Sequence, residues 1–276
     1  AIDLFKEPEV VDVTLWLGGM ADTADGAYIK GLAEARKDCV AFVSPNKASV
    51  VNAGTGQVAA LKTDSTTLGS SSYAVMDGAW KYMYDRYRDV FFYCPMNGDT
   101  AGLVARTEQT NDAWWSPAGM ARGQVKNIVK LSWEPTKADR DELYKKSVNP
   151  YITQTGAGII LWGDKTAQVT PTAFDRINVR RLFIILEKAI SIAAKAMLFE
   201  FNDTFTRAQF VNMVSPFLKA FRNFFTYGDP KHALFVFYVP FAYIGSEFAG
   251  LSGLFIGAAI GNLFTATLAY KWFIKE

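Results

Sequence analysis

Between Val10 and Leu17 apolar and polar residues alternate. Val11, Val13, Leu15 and Leu17 fall on one face, with Asp12, Thr14 and Trp16 on the other, and a period of two predicts a strand. Gly18-Gly19 ends it, and Thr23 or Asp25 can cap a helix running to about Lys37. The run CVAFV at 39–43 is unbroken and apolar, as in a strand buried on both faces. Strand, helix and strand over 10–43 make a βαβ unit, whose crossover should be right-handed. Residues 44–72 carry VNAGTGQ and TDSTTLGSSS, rich in Gly, Ser, Thr and Asp without an apolar period, and are expected to be loop.

From Tyr73 to Tyr93 aromatics are dense, and VFFYC at 90–94 ends at Pro95, so extended strands fit better than a helix. NGDTAG at 97–102 reads as a turn. Thr136 opens a short helix, TKADRDELYKK, with Asp139 at the capping-box position and lysines at the C-terminal end, where they suit the helix dipole. GIILWG at 158–163 predicts another buried strand. The clearest helix covers about 174–198, with Thr172 before it and Ile177, Leu182, Ile185, Leu186, Ala189, Ile190, Ala193 and Met197 at helical spacing. Leu186 is expected to lie on its buried face. A second helix, about 203–219, carries Phe205, Phe210, Met213 and Phe217, with Pro216 marking a kink or its last turn. Arg176 and Arg180 share a face of the first helix, where an ion pair with a neighbouring carboxylate is favoured over a ligand site.

Candidate chemistry is sparse. The turn GGMADT lacks the G-x-G-x-x-G spacing that lets backbone approach a pyrophosphate, and G-x-x-x-x-G-K-[ST] occurs nowhere. One histidine, His232, excludes most triad and metalloenzyme arrangements, and two cysteines, Cys39 and Cys94, exclude a disulfide scaffold. Lys+Arg of 29 against Asp+Glu of 27 leaves +2, which argues against a strongly basic nucleic-acid binder despite Lys81, Arg86 and Arg88 among the aromatics. With 50% hydrophobic residues the chain has ample material for a core. No catalytic, cofactor-binding or metal-binding residues emerge, and a non-enzymatic α/β structural or interaction protein is expected.

The C-terminal part differs. After residue 219 the charges thin to Arg222, Lys231, Lys271 and Lys275 with Asp229, Glu247 and Glu276. ALFVFYVPFAYIGS at 233–246 and LSGLFIGAAIGNLFTATLAY at 251–270 carry none, and the second run has the 20 residues a helix needs to span a bilayer core. Basic residues flank both outer ends, which predicts a hydrophobic helical hairpin with both ends cytoplasmic.

Six stretches together resemble the contractile tail sheath proteins of myophage-type bacteriophages. They are YAVMDGAWKYMYDRYRDVFFYCPMNGDTAG (73–102), WWSPAGMARGQV (114–125), ELYKKSVNPYIT (142–153), GIILWGDKT (158–166), FDRINVRRLFIILEKAI (174–190) and LFEFNDTFTRAQF (198–210). The resemblance runs over about 1–218. It implies that 1–68 is part of a middle sheath domain, a βαβ piece, and that 69–219 is the sheath core domain. It implies a virion protein assembled in the host cytoplasm, contracting by rigid-body subunit rearrangement around the tail tube. The implied partners are neighbouring sheath subunits in a helical stack of rings, the tail tube protein, the baseplate and the tail terminator, with no cofactor. It further implies that Arg207 and Lys219 face the tube. On that resemblance the sequence is expected to lack the family's N-terminal arm, its outer domains and the C-terminal strand lent to a neighbour's sheet.

Residues 233–274, notably GLFIGAAIGN, resemble instead the last helices of a MATE-type multidrug efflux transporter. That implies an alternative, a fragment or fusion of a membrane transporter with this segment in the host inner membrane. The two resemblances together imply a chain joined near residue 220.

Overall fold

The computed structural model describes residues 2–227, with side chains over 3–219. The expected hairpin at 220–276, and with it the membrane alternative, lies almost wholly outside the described residues; 220–227 form the end of a helix. Among the described residues no helix is long and apolar enough to cross a membrane. The chain divides into two compact units, 1–189 and 190–276.

The first unit opens with a 3-10 turn, Ile2–Phe5, then β1 (Leu15–Leu17), α1 (Thr23–Arg36) and β2 (Val40–Val43). The predicted βαβ unit is present, with β1 and β2 parallel and Leu15 opposite Val40. Its first strand is shorter than the alternation suggested. The cap of α1 is Asp22, whose side chain accepts from the Asp25 N–H, rather than Thr23 or Asp25. Gly26 of α1 faces Val43 so closely that an added Cβ would meet its Cγ1 at 2.5 Å, which explains the glycine at this helix–sheet contact.

Residues 44–72 are not loop. They hold α2 (Lys47–Val50) and α3 (Gln57–Leu68), and α3 buries Leu61, Asp64 and Leu68. Thr66 donates back to the Lys62 carbonyl at 2.8 Å, and Thr63 and Thr67 make the same i−4 bond, so these polar residues are satisfied inside a helix. Next come β3 (Ala74–Asp77), β4 (Trp80–Asp85) and β5 (Val90–Pro95), the strands the aromatic run predicted. The expected turn at 97–102 is instead the start of α4 (Asn97–Thr110). Its buried positions Thr100, Leu103, Val104 and Thr107 follow a helical period that Gly98 and Gly102 obscure.

The rest of the unit comprises β6 (Lys130–Leu131), α5 (Lys137–Lys145), β7 (Val148–Asn149), β8 (Tyr151–Gln154), β9 (Gly158–Leu161) and α6 (Ile177–Lys195), whose last turns enter the second unit. The capping box of α5 forms as expected, Thr136 and Asp139 satisfying each other's backbone. A parallel sheet in the order β1-β2-β3-β7 forms the centre. Val40 and Phe42 of β2 face Ala101, Val104, Ile177 and Ile184, while Ala41 and Val43 face Ile29, Ala33 and Leu61. The result is a three-layer α/β/α sandwich, with α1 and α3 on one face and α4 and α6 on the other. Because β2 pairs with β3 across position 68, residues on either side of the expected domain boundary there share one sheet. A smaller core with Met96, Leu103, Tyr151 and Leu161 lies beneath the antiparallel β8–β9 pair.

The second unit, where described, contains the end of α6 and α7 (Thr204–Tyr227). Pro216 neither ends nor closes α7, which continues for three further turns. Its ring removes one i→i−4 donor and leaves the rest of the ladder in place.

Candidate interaction surfaces

The chemistry-bearing residues sit at three places. At the first, Thr172 accepts from the Phe174 N–H at 3.2 Å and starts a 3-10 turn, Ala173–Asp175, that leads into α6. Arg176 lies at the entry to α6. It donates to Asp164 Oδ1 at 2.7 Å and to the Tyr144 hydroxyl at 2.5 Å, the carboxylate pairing expected for it. Arg180 lies one turn on, and no carboxylate is hydrogen-bonded to it among the described residues. Its donors go to the Tyr73 hydroxyl and Ser72 Oγ, and its guanidinium stacks on Tyr73 and Phe174. Burial pulls its pKa down, against the opposing influence of Tyr73 and Glu187. Sequence reasoning passed over Arg181, whose side chain is fully buried against Glu108 and the Thr14 carbonyl.

At the second place, the C-terminal ends of the parallel strands, four polar residues interlock. Ser44 donates to Asp77, the Asn97 N–H donates to Ser44, and the Asn97 carboxamide donates to the Gly19 carbonyl at 2.7 Å. Asn149, at the end of β7, donates to the Met76 and Lys165 carbonyls. In open α/β sheets this edge is where ligands bind. Here the chain's own side chains occupy it. Among the described residues no group of His, Cys, Asp and Glu could hold a metal ion.

The third place comprises exposed surfaces. The β4–β5 hairpin shows Tyr84, Phe91 and Phe92 to solvent, with Tyr87 at its tip 85% exposed. In the second unit Leu198, Phe199, Phe201 and Phe205 are exposed around the turn into α7. Arg207 and Lys219 both lie on α7 and both are exposed. Arg207 Nε donates to Asn202 Oδ1 at 2.8 Å, which ties the guanidinium to the first turn. The two cations are twelve residues apart, so they point about 120° from each other around the helix at 3.6 residues per turn.

Comparison with known proteins places these features in a family. The family described as the phage tail sheath protein central domain matches residues 20–167. The tail sheath protein of Vibrio phage KVP40 is 40% identical over 240 residues, covering 79% of this chain and 36% of the relative. That of Enterobacteria phage T4 is 39% identical over 236 residues, with the same coverage of each. The chain therefore spans about a third of the length of the curated relatives it matches. Among solved structures, the helical sheath of the anti-feeding prophage in its contracted state superposes with a TM-score of 0.61 at 20% identity, covering 78% of this chain and 56% of that one. The contracted sheath complex of the PVC extracellular contractile injection system gives 0.56 at 18% identity, with 70% and 52% covered. These two likenesses are of fold. The transporter alternative gains no support from any of them.

Proposed function

The chain belongs to the phage tail sheath family, and from that premise we propose that it is part of a structural subunit of a contractile tail sheath, a virion component without catalytic activity. Such subunits pack around the tail tube as stacked rings and move as rigid bodies when the baseplate triggers contraction. The observation that carries this reading is the roughly 40% identity to two phage tail sheath proteins over nearly four-fifths of the chain. The first unit suits a body that must rotate without deforming. Its sheet is covered on both faces, and the strand ends are locked by the Ser44, Asp77, Asn97 and Asn149 hydrogen bonds.

In the same reading, neighbouring sheath subunits, the tube, the baseplate and the terminator are the partners, and assembly takes place in the host cytoplasm. Residues 69–219 are read as the core domain nearest the tube and 1–68 as part of the middle domain, with the two joined through the sheet that crosses position 68. Arg207 and Lys219 on α7 are the tube-facing cations. Head-to-tail contacts between identical subunits would close into rings and continue as helices. The test is negative-stain microscopy and sedimentation of the full chain with and without the tube protein of a contractile phage. Rings or tubular assemblies are expected. A chain that stays monomeric and ignores the tube at high concentration would overturn the reading.

A further inference from the structure

Three arginines enter α6 within six residues, and only one lacks a carboxylate. Arg176 pairs with Asp164 and Arg181 with Glu108. Arg180 is 7% exposed, and no carboxylate pairs with it among the described residues. Glu187 acts on it through space, but no hydrogen bond or ion pair joins the two among the described residues. Burying a guanidinium without a hydrogen-bonded counter-ion is expensive, and the usual remedy is an anion that supplies those bonds. The stacking of Arg180 between Tyr73 and Phe174, 4.2 and 4.0 Å from the ring centroids, offsets part of that cost but supplies no acceptor. Its Nε–H is buried with no partner.

The hydroxyls around Arg180 point to what is missing. Arg180 Nη1 donates to the Tyr73 hydroxyl at 3.1 Å and Nη2 donates to Ser72 Oγ at 2.7 Å. Each oxygen therefore accepts from the guanidinium, and each hydroxyl hydrogen is left to be directed elsewhere. Neither hydroxyl has an acceptor among the described residues, and both residues are half-buried at the surface. Two hydroxyl donors backed by one cation form a receptor for an oxyanion. Burial raises the Tyr73 pKa, with Arg180 opposing and Glu187 adding to the shift, which favours the protonated hydroxyl.

We propose that Arg180, Ser72 and Tyr73 form an oxyanion-binding site, and that its occupant in the assembled protein is a carboxylate side chain of a second copy of this chain. The choice of a second copy rests on the sheath reading above. A subunit that leaves one buried cation uncompensated until its neighbour arrives would place that electrostatic gain at the contact. A free inorganic or organic anion has the same chemistry and is the alternative source.

The test has two arms, both on the full chain, with the double variant Ser72→Ala/Tyr73→Phe as control. This variant removes both hydroxyls and leaves the buried arginine in place. In the first arm, the Arg180 Nε–H resonance is followed while acetate replaces chloride at constant ionic strength and pH 7. A shift that saturates in the wild type and is lost in the double variant is expected. No saturable shift, or the same shift in both, would overturn the site whether or not the protein assembles. In the second arm, sedimentation reads self-association. Acetate should weaken it in the wild type, and the double variant should associate less while its circular dichroism is unchanged. Acetate binding that leaves association unchanged would assign the site to a free anion and overturn the neighbour's carboxylate.

Discussion

The Ser44 hydroxyl donates a 2.6 Å hydrogen bond to Asp77 Oδ2, joining the C-terminal ends of the adjacent strands β2 and β3. Ser44 Oγ in turn accepts from the Asn97 N–H at 2.9 Å, which fixes the first residue of α4 over both strands. Asp77 is fully buried, and burial pushes its carboxyl up to about 8, with the carboxylate of Asp99 adding to the shift and the bonds from Ser44 and Ala79 opposing it. The protein thus folds around an acid that keeps its proton at neutral pH.

Stability should therefore fall as pH rises. The unfolded chain ionises Asp77 near 3.8 and the folded chain near 8, so between those values the native state holds one more proton. The contribution is fully present below the unfolded value and is lost as pH rises through the folded one, at up to ~1.4 kcal/mol per unit. Urea unfolding at pH 5 and pH 8 checks this. The wild-type midpoint should drop more than that of Asp77→Asn, which has no proton to lose. Equal drops would mean that Asp77 is ionised throughout.

The buried face of α6 is set by Ile177, Arg180, Arg181 and Ile184, not by Leu186, which is only half-buried. Ile184 is 1% exposed and packs with Val40, Phe42, Val75, Ala101 and Val104. Ile184→Ala should cost ~2–4 kcal/mol through lost contacts and the remaining cavity. Leu186→Ala should cost clearly less. Comparing denaturant midpoints decides it, and a larger loss at Leu186 would mean that the helix is rotated from this face.

The misread face shows what a sequence can and cannot convey. Helix α6 has apolar residues on more than one side, so periodicity locates the helix without saying which stripe meets the sheet. Strand β2 was legible because four consecutive apolar residues fit only a strand covered on both faces. Helix α3 was not, since its core contacts rest on Leu61 and Leu68 while its threonines read as loop until their i−4 bonds are seen. The arginines were legible as neighbours, but not as sharing a helix face, because Arg176 is extended and precedes α6. That Arg176 finds Asp164 while Arg180 finds only hydroxyls depends on the loops at 70–73 and 164–174, which no periodicity foretells.

Ion pairs should differ in worth according to burial. Arg181 is fully enclosed, and its carboxylate partner is Glu108, which is part-exposed. Glu108→Ala would leave a buried guanidinium with one weak contact to Thr14, and a loss of ~1–3 kcal/mol is expected once the solvent access of Glu108 is allowed for. The Lys62–Glu142 pair lies at the surface, and Glu142→Ala should change stability by less than ~1 kcal/mol. Thermal midpoints at low and high salt test the contrast. The Glu142 effect should fade with salt while the Glu108 effect persists, and the reverse order would show that enclosure of Arg181 carries no weight.

The proposed tube contact should distinguish the two α7 cations. Both are exposed, so Arg207→Glu and Lys219→Glu should leave folding within ~0.5 kcal/mol of wild type. They point about 120° apart, so one contact face cannot use both equally. Arg207 is the stronger candidate because Asn202 already restrains its guanidinium, which lowers the entropy lost on docking. Arg207→Glu should therefore weaken co-sedimentation with tubes more than Lys219→Glu. The loss should be greater at ~0.05 M than at ~0.5 M salt, where the Debye length falls well below 10 Å. A larger effect from Lys219→Glu would turn the tube-facing side of α7 by a third of a turn. If neither substitution alters binding, α7 does not meet the tube through these charges, and the exposed apolar residues Val211, Met213 and Leu218 become its remaining means of contact.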